Sequence, residues 1–306
     1  FEAFLGNEPE ESSPPKRASN DSRKPGNGKP STNRQESNAA PVPPGGDDDN
    51  NGWKCVMPVP DDAPKPPAAH AKHGKPSKRY PYLAQDGRVN YFHDRFDKPK
   101  GEKKQFSPLT LWQKGNKYEW RFKVPPGLRP LFGLPGLLQF PDAEVWFTEG
   151  EKAAEALQKL LPDHPVLCWQ GGSQAVEKSD YTPLAGRDCV IFPDYDLPGK
   201  KAAGDLVKRL TAADARSVRV LDVDRLERGA GEPLQPGDDA ADLTECGWDA
   251  DRFGAFLQHE DAFIPDANPG AGQSKPADNP MNHKQKPCNV VLNCSMTACT
   301  FWNRPK

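Results

Sequence analysis

Four short apolar runs separated by helical periodicities constrain this chain more than any other feature of its sequence. Glu144–Thr148, Val166–Trp169, Cys189–Phe192 and Val218–Val223 are rich in Val, Leu, Ile and aromatic residues and read as strands buried in a sheet. Between the first two, Lys152–Leu161 carries Ala153, Ala156, Leu157, Leu160 and Leu161 at helical spacing and is ended by Pro162. After the third, Pro198-Gly199 opens a helix with Ala203, Leu206, Val207 and Leu210 on one face, and a last helix closes the segment near Leu257. Strand and helix in this alternation predict a parallel sheet with right-handed crossovers.

Two of the runs lead directly into acids. Val145-Trp146-Phe147 precedes Glu149-Gly150-Glu151-Lys152, and Cys189-Val190-Ile191-Phe192 precedes Pro193-Asp194-Tyr195-Asp196. In one parallel sheet both acidic motifs emerge at the carboxyl edge of the strands, where α/β proteins bind ligands. Magnesium takes oxygen ligands, keeps several waters, and needs only one or two fixed carboxylates beside substrate phosphates. Asp194 and Asp196 have that placement. Glu149, on the adjacent strand, either completes the metal shell or, with its pKa raised by neighbouring acids, acts as general acid or base. The helix after Gly150 presents free N–H groups suited to a phosphate, and Lys152 adds a point charge. Gly171-Gly172-Ser173 is a second phosphate-approach candidate. The glycine spacing and Lys-Ser/Thr pair of a P-loop are absent. The plain alternative is that such acids cap helices or solvate loops. Asp238, Asp239 and Asp242 are read that way, as a solvated loop and helix cap rather than a second metal position.

The segment before the sheet has a different character. From Ala63 to Pro130 there are 16 Lys and Arg against 5 Asp and Glu, so a chain of net charge −2 carries −13 outside it. Tyr80 and Tyr82, the Asp86-Gly87 turn, and Val89, Tyr91 and His93 in alternation predict a β-hairpin. Thr110–Gln113 and Tyr118–Phe122 around Lys114-Gly115-Asn116-Lys117 predict another. Eleven aromatics between Tyr80 and Phe132 interleave with basic residues, a composition suited to stacking bases and tracking a phosphate backbone. Most of Trp112, Trp120 and Phe122 is assigned to packing, and an exposed set with Arg79, Arg88, Arg95, Lys103 and Lys104 is the candidate single-strand DNA surface. His93 and His164 are read as surface or packing residues rather than ligands.

With 35 Pro and 26 Gly, about a fifth of the chain resists regular structure. Residues 1–52 are expected to be a disordered linker, 53–140 a basic β-rich module, 141–262 the α/β domain, and 263–306 a disordered or atypical tail. Trp53, in a brief apolar island, is expected to dock on the unit that follows it. Seven cysteines at irregular spacing argue against a disulfide framework and for a reducing cytosol. His283, Cys288, Cys294 and Cys299 lack zinc-knuckle spacing. No run approaches the roughly 20 apolar residues of a membrane span, and no leader opens the chain. It begins at Phe1 rather than Met, as expected of a piece of a longer polypeptide.

Glu149-Gly150-Glu151-Lys152-Ala153-Ala154, Gly171-Gly172, and Phe192-Pro193-Asp194-Tyr195-Asp196 with Gly199 together resemble the Toprim domain of phage- and plasmid-type DNA primases and primase-helicases. Topoisomerases and a group of nucleases share that fold. The resemblance covers Glu144 to Val223 and, more loosely, the basic segment before it and Gly237-Asp238-Asp239-Ala240-Ala241-Asp242-Leu243 after it. It implies acid–base work for Glu149, Mg2+ or Mn2+ binding by Asp194 and Asp196 with Glu149, and a primase-type nucleotidyltransferase acting on single-stranded DNA with nucleoside triphosphates in replication of a mobile element. A replicative helicase, in cis or in trans, is the implied partner. One departure matters: no Cys/His zinc ribbon precedes the domain, because Cys55, His70 and His73 lack four-ligand spacing, which argues against unaided primer initiation. The rival readings are a nuclease using the same acids, a non-catalytic DNA-binding or helicase-recruiting module, and a receiver-like domain phosphorylated on Asp194.

Overall fold

The computed structural model describes residues 51–99 and 102–265. The chain divides into two units, Phe1–Ala271 and Gly272–Lys306, and all described residues belong to the first. The expected linker and tail lie almost wholly outside the described residues, as do His283 and Cys288, Cys294 and Cys299.

The apolar runs form four parallel strands, β6 (Val145–Thr148), β7 (Val166–Cys168), β8 (Asp188–Ile191) and β9 (Ser217–Val220), in the order β7-β6-β8-β9. Every residue of β6 and β7 is buried, which is why these strands show no polar alternation. The two-residue period nevertheless sorts side chains between the faces. Val145, Phe147, Leu167, Cys189, Ile191, Val218 and Val220 pack with Ala203, Leu206 and Leu210 of the long helix α3 (Leu197–Ala212). Trp146, Val166, Cys168 and Val190 pack on the other face with Ala153, Ala154, Leu157 and Leu160 of α2 (Glu151–Leu160). Two short helices, α4 (Ala240–Glu245) and α5 (Ala250–Leu257), complete that second layer through Leu243 and Phe253. A single turn, α1 (Gly136–Gln139), precedes the sheet.

The mixed α/β class expected from the sequence, a parallel sheet flanked by helices with a β-rich unit before it, is the one observed. Two boundaries differ. β9 stops at Val220 because the Asp222 side chain caps a 3-10 turn, Val223–Arg225, by accepting from the Asp224 N–H. The last expected helix is two helices, interrupted where Gly247 adopts a left-handed φ of 87°.

The β-rich unit is antiparallel. β2 (Lys78–Leu83) and β3 (Val89–Phe96) form the first predicted hairpin, while β4 (Gln105–Lys114) and β5 (Lys117–Arg121) form the second around Gly115-Asn116. β3 also pairs with β4, and β1 (Lys54–Cys55) adds to β4 at Gln113 and Trp112. Trp53 docks as expected, its ring lying 4.2 Å from the Arg121 guanidinium. Trp112 is buried, and Trp120 is tied down by its indole N–H donating to the Pro64 carbonyl at 2.6 Å. The four described cysteines are free. No described helix is long and apolar enough to cross a membrane.

The two sheets meet along β2, β3 and the start of α2. Tyr82 Oη donates to Glu151 Oε1 at 2.7 Å, His93 Nδ1 lies 2.5 Å from the same oxygen, and Lys78 pairs with Glu155 at 3.0 Å.

Candidate active site

Glu149 follows β6 and Asp194 follows β8, and the pairing of Phe147 with Ile191 sets the two strand ends side by side. Glu149 Oε1 accepts the Ser173 N–H at 2.8 Å. Gly171 and Gly172 make this contact possible. Both have left-handed φ, 110° and 71°, and a Cβ on Gly172 would sit 3.4 Å from that carboxylate oxygen. The glycine pair therefore seats Glu149, and the Ser173 N–H it presents is already taken.

Asp194 is half-buried where the chain turns into α3. A Cβ on Gly199 would lie 2.6 Å from the Asp194 carbonyl, so only glycine lets the helix start this close. The loop over 237–239 is stitched to the same turn, with Tyr195 N donating to Asp238 O at 2.8 Å and Gly237 N to Tyr195 O at 3.0 Å. That stitching sets Asp239 beside the crest. Asp239 also caps α4, accepting from Ala241 N at 2.6 Å, with Asp242 closing the capping box. Asp196 is the N-cap of α3, one oxygen accepting the Gly199 N–H at 2.6 Å.

The electrostatics single out this cluster. Burial, then the fields of Glu149, Asp239, Asp196 and Asp242, push the Asp194 carboxyl up to about 8. Burial also raises Glu149 above its ordinary value; the Ser173 N–H opposes this while Asp196 and Asp239 reinforce it. Asp239 is likewise raised, by burial against its cap hydrogen bonds.

An open cleft of about 550 Å³ runs along these acids. Glu149, Asp194 and Asp239 line one side, together with Gly150, Gly171 and Gly172. Tyr80, His93, Arg95, Lys104 and Phe106 of the β-rich unit line the other. Of the residues expected to bind nucleic acid, Arg95 and Lys104 are thus brought to the acids, and Arg95 is steadied by Asp97 at 2.8 Å. Lys103 is exposed on the same approach to β4. Arg79 is spent inside the β unit, bound to buried Asp94 at 2.6 Å and to the Pro67 carbonyl. Arg88 is paired with Asp86 at the hairpin turn. Lys152 lines the cleft but bonds Glu245 of α4 at 2.8 Å.

Sequence reasoning passed over three participants. Glu151 was part of a motif, yet its carboxylate is buried against His93 and Tyr82, and although burial opposes it these partners hold the acid below its ordinary pKa. His93 is accordingly buried and paired, not a surface residue. Asp238, expected in a solvated loop, is buried and bidentate with Arg228 at 2.6 and 2.5 Å, because an acid removed from water needs a partner. For Asp239 the helix-cap expectation holds, but the same residue also faces the cleft. The only available signal was the Asp239-to-Asp242 capping-box spacing.

A magnesium ion suits the donor set at the crest, which is all carboxylate and carries no cationic partner strong enough to offset the raised Asp194 and Glu149. Among the described residues no three His, Cys, Asp or Glu are gathered as a ready-made cage. That fits an ion held by one or two carboxylates with waters and substrate oxygens supplying the rest.

No protein-family model matches the chain, and no curated protein matches it significantly. Solved structures do. The chain is similar to Aquifex aeolicus primase, in a structure of its zinc-binding and RNA polymerase domains, at 18% identity over 58% of this chain and 38% of that one, with a TM-score of 0.39. A DNA primase domain from Pseudomonas aeruginosa matches at 17% identity over 62% and 55%, TM-score 0.39. The primase fragment of the bacteriophage T7 primase-helicase matches at 19% over 59% and 61%, TM-score 0.36. The chain thus spans less than two thirds of the length of each. At this distance the geometry of the site has to carry the functional reading.

Proposed function

We propose that this chain is a primase-type nucleotidyltransferase module that joins nucleotides on a single-stranded DNA template in the replication of a phage, plasmid or other mobile element. The observation that carries the reading is the uncompensated carboxylate crest, with Asp194 raised to about 8, facing a basic and aromatic wall across one cleft. Asp194 and Asp239 line that cleft and would hold the divalent ion, Mg2+ or Mn2+, with Asp196 offering the oxygen not used by its cap. When bound, the ion neutralises the triphosphate and the charge that develops on it. Glu149, fixed by the Ser173 N–H, takes the proton from the attacking 3′ hydroxyl. The hydroxyl oxygen forms a bond to the α-phosphorus of a nucleoside triphosphate, the bond to the bridging oxygen breaks, and pyrophosphate leaves. Arg95 and Lys104 steer the template phosphates, so strand binding should weaken steeply with salt. A replicative helicase, in cis or in trans, is the partner that would deliver the strand.

Magnesium or manganese titrated into the protein and its Asp194→Asn variant, with single-stranded DNA and nucleotides present, tests this directly. Labelled primers that require nucleotides and vanish in the variant are expected. Strand cleavage without nucleotides would replace the reading by a nuclease, and equal weak metal binding in both proteins would leave a DNA-binding module.

A further inference from the structure

Phe106 has an exposure that nothing in the fold accounts for. It is 46% exposed, and it is the only exposed Phe, Tyr or Trp among the described residues. A solitary exposed aromatic on a surface is ordinary, but this one lines the cleft opposite Glu149 and Asp194. It also stacks on His93, ring centroids 5.2 Å apart and planes 28° from parallel. His93 cannot swing away, because its Nδ1 lies 2.5 Å from buried Glu151 Oε1, which also accepts the Tyr82 hydroxyl. One face of Phe106 is therefore backed by a fixed imidazole, while the ring keeps nearly half its surface toward solvent.

We propose that Phe106 is a stacking platform for a nucleobase, clamped from behind by His93 and Glu151. The inference rests on the nucleotidyl-transfer reading and deepens it by naming the group that seats a base. A flat apolar ring takes any base through its π-face, and Lys104 and Arg95 beside it take the attached phosphate. The base belongs either to the strand or to an incoming nucleotide, since both present the same face to the ring.

The experiment compares wild type with Phe106→Ala, Phe106→Leu and Phe106→Trp, at one fixed salt concentration and without metal. The probes are an oligodeoxyadenylate strand of about 8 nucleotides, within the footprint of single-strand binders, and an abasic strand of the same length. Phe106→Ala and Phe106→Leu should each weaken the base-bearing strand about tenfold and leave the abasic strand unchanged. Phe106→Trp should restore affinity, and its indole fluorescence above the wild-type background should be quenched on binding. A second arm repeats the quenching with ATP and magnesium. Quenching by the strand alone assigns the platform to template, and quenching by ATP assigns it to the incoming nucleotide. Equal binding of base-bearing strand by wild type and Phe106→Ala, equal weakening of both strands, or no quenching in either arm overturns the proposal. The strand arm needs neither metal nor product. Stacking without primer synthesis would therefore sink the transfer reaction alone, and synthesis without stacking would sink the platform alone.

Discussion

Glu149 and Glu151 stand two residues apart and occupy opposite electrical surroundings. Glu151 is buried with His93 and Tyr82 on one oxygen and is held below its ordinary pKa against the cost of burial. Glu149 faces Asp194 and Asp239, has one backbone N–H for support, and is raised. Asp238 and Asp239 repeat the contrast as direct neighbours. Arg228 neutralises the first, while the second is raised beside the crest. Acids with partners hold the molecule together here, and acids without them converge on one cleft. The difference is what separates structure from chemistry along a stretch where residue type alone cannot.

The largest effect should come from relieving the crest. Asp194→Asn is expected to lower metal-dependent turnover by more than about 100-fold, since positioning and charge neutralisation supply most of the rate in phosphoryl transfer. The same change should stabilise the metal-free protein. Folded, Asp194 keeps its proton up to about pH 8, whereas its ordinary value is 3.8. Between those limits the native state binds more protons than the unfolded state, so stability falls as pH rises. Melting curves in chelator at pH 5 and 8.5 should show that fall in wild type and a flatter response in Asp194→Asn. Identical slopes would mean that Asp194 is compensated after all.

Breaking the seam should do the reverse, costing stability first. Glu151 and His93 side chains are each 7% exposed, and removing one leaves the other buried without its partner. His93→Ala is expected to destabilise by about 3 kcal/mol, in the range for orphaned buried ion pairs, measured by urea unfolding. Glu151→Gln should cost less, because it keeps an acceptor for the Tyr82 hydroxyl. A loss under about 0.5 kcal/mol for His93→Ala, the level of a solvent-exposed pair, would erase the distinction between seam and crest.

Arg228→Ala turns a compensated acid into an uncompensated one. Burial opposes ionisation of Asp238, yet the Arg228 bonds hold its pKa below 3.8, so in wild type it contributes stability above that value that is lost as pH falls. Without Arg228 its pH dependence should invert to resemble that of Asp194, with a melting temperature lower by several degrees at neutral pH. An unchanged acid limb in the pH–stability profile would show that the pair is dispensable.

Much of this was legible in the sequence because it is local. Strand burial, the Asp86-Gly87 and Gly115-Asn116 turns, and the emergence of Glu149 and Asp194 at adjacent strand ends follow from runs of a few residues. What was hidden is long-range pairing between identical residue types. Tyr82 and His93 reach Glu151 across 69 and 58 residues, and nothing near Glu151 distinguishes it from Glu149. The exposure of Phe106 was equally invisible, since eleven aromatics in that segment share one composition and only the packing decides which stays wet.

The smallest effect belongs to Lys152, which sits between the two groups of acids. Its bond to Glu245 at 2.8 Å joins α2 to α4, but the side chains are 45% and 65% exposed. Such a pair is worth less than about 0.5 kcal/mol, so Lys152→Ala and Glu245→Gln should melt close to wild type. The weakness of the pair is also what would let Lys152 leave it for a triphosphate entering the cleft it lines. In that case Lys152→Ala raises KM for nucleotide a few-fold with little change in kcat, while Glu245→Gln, which frees the lysine, leaves KM equal or lower. If the two variants instead impair turnover equally, the bond serves as a clip holding Asp239 against the crest, and Lys152 belongs with the compensated residues rather than with the site.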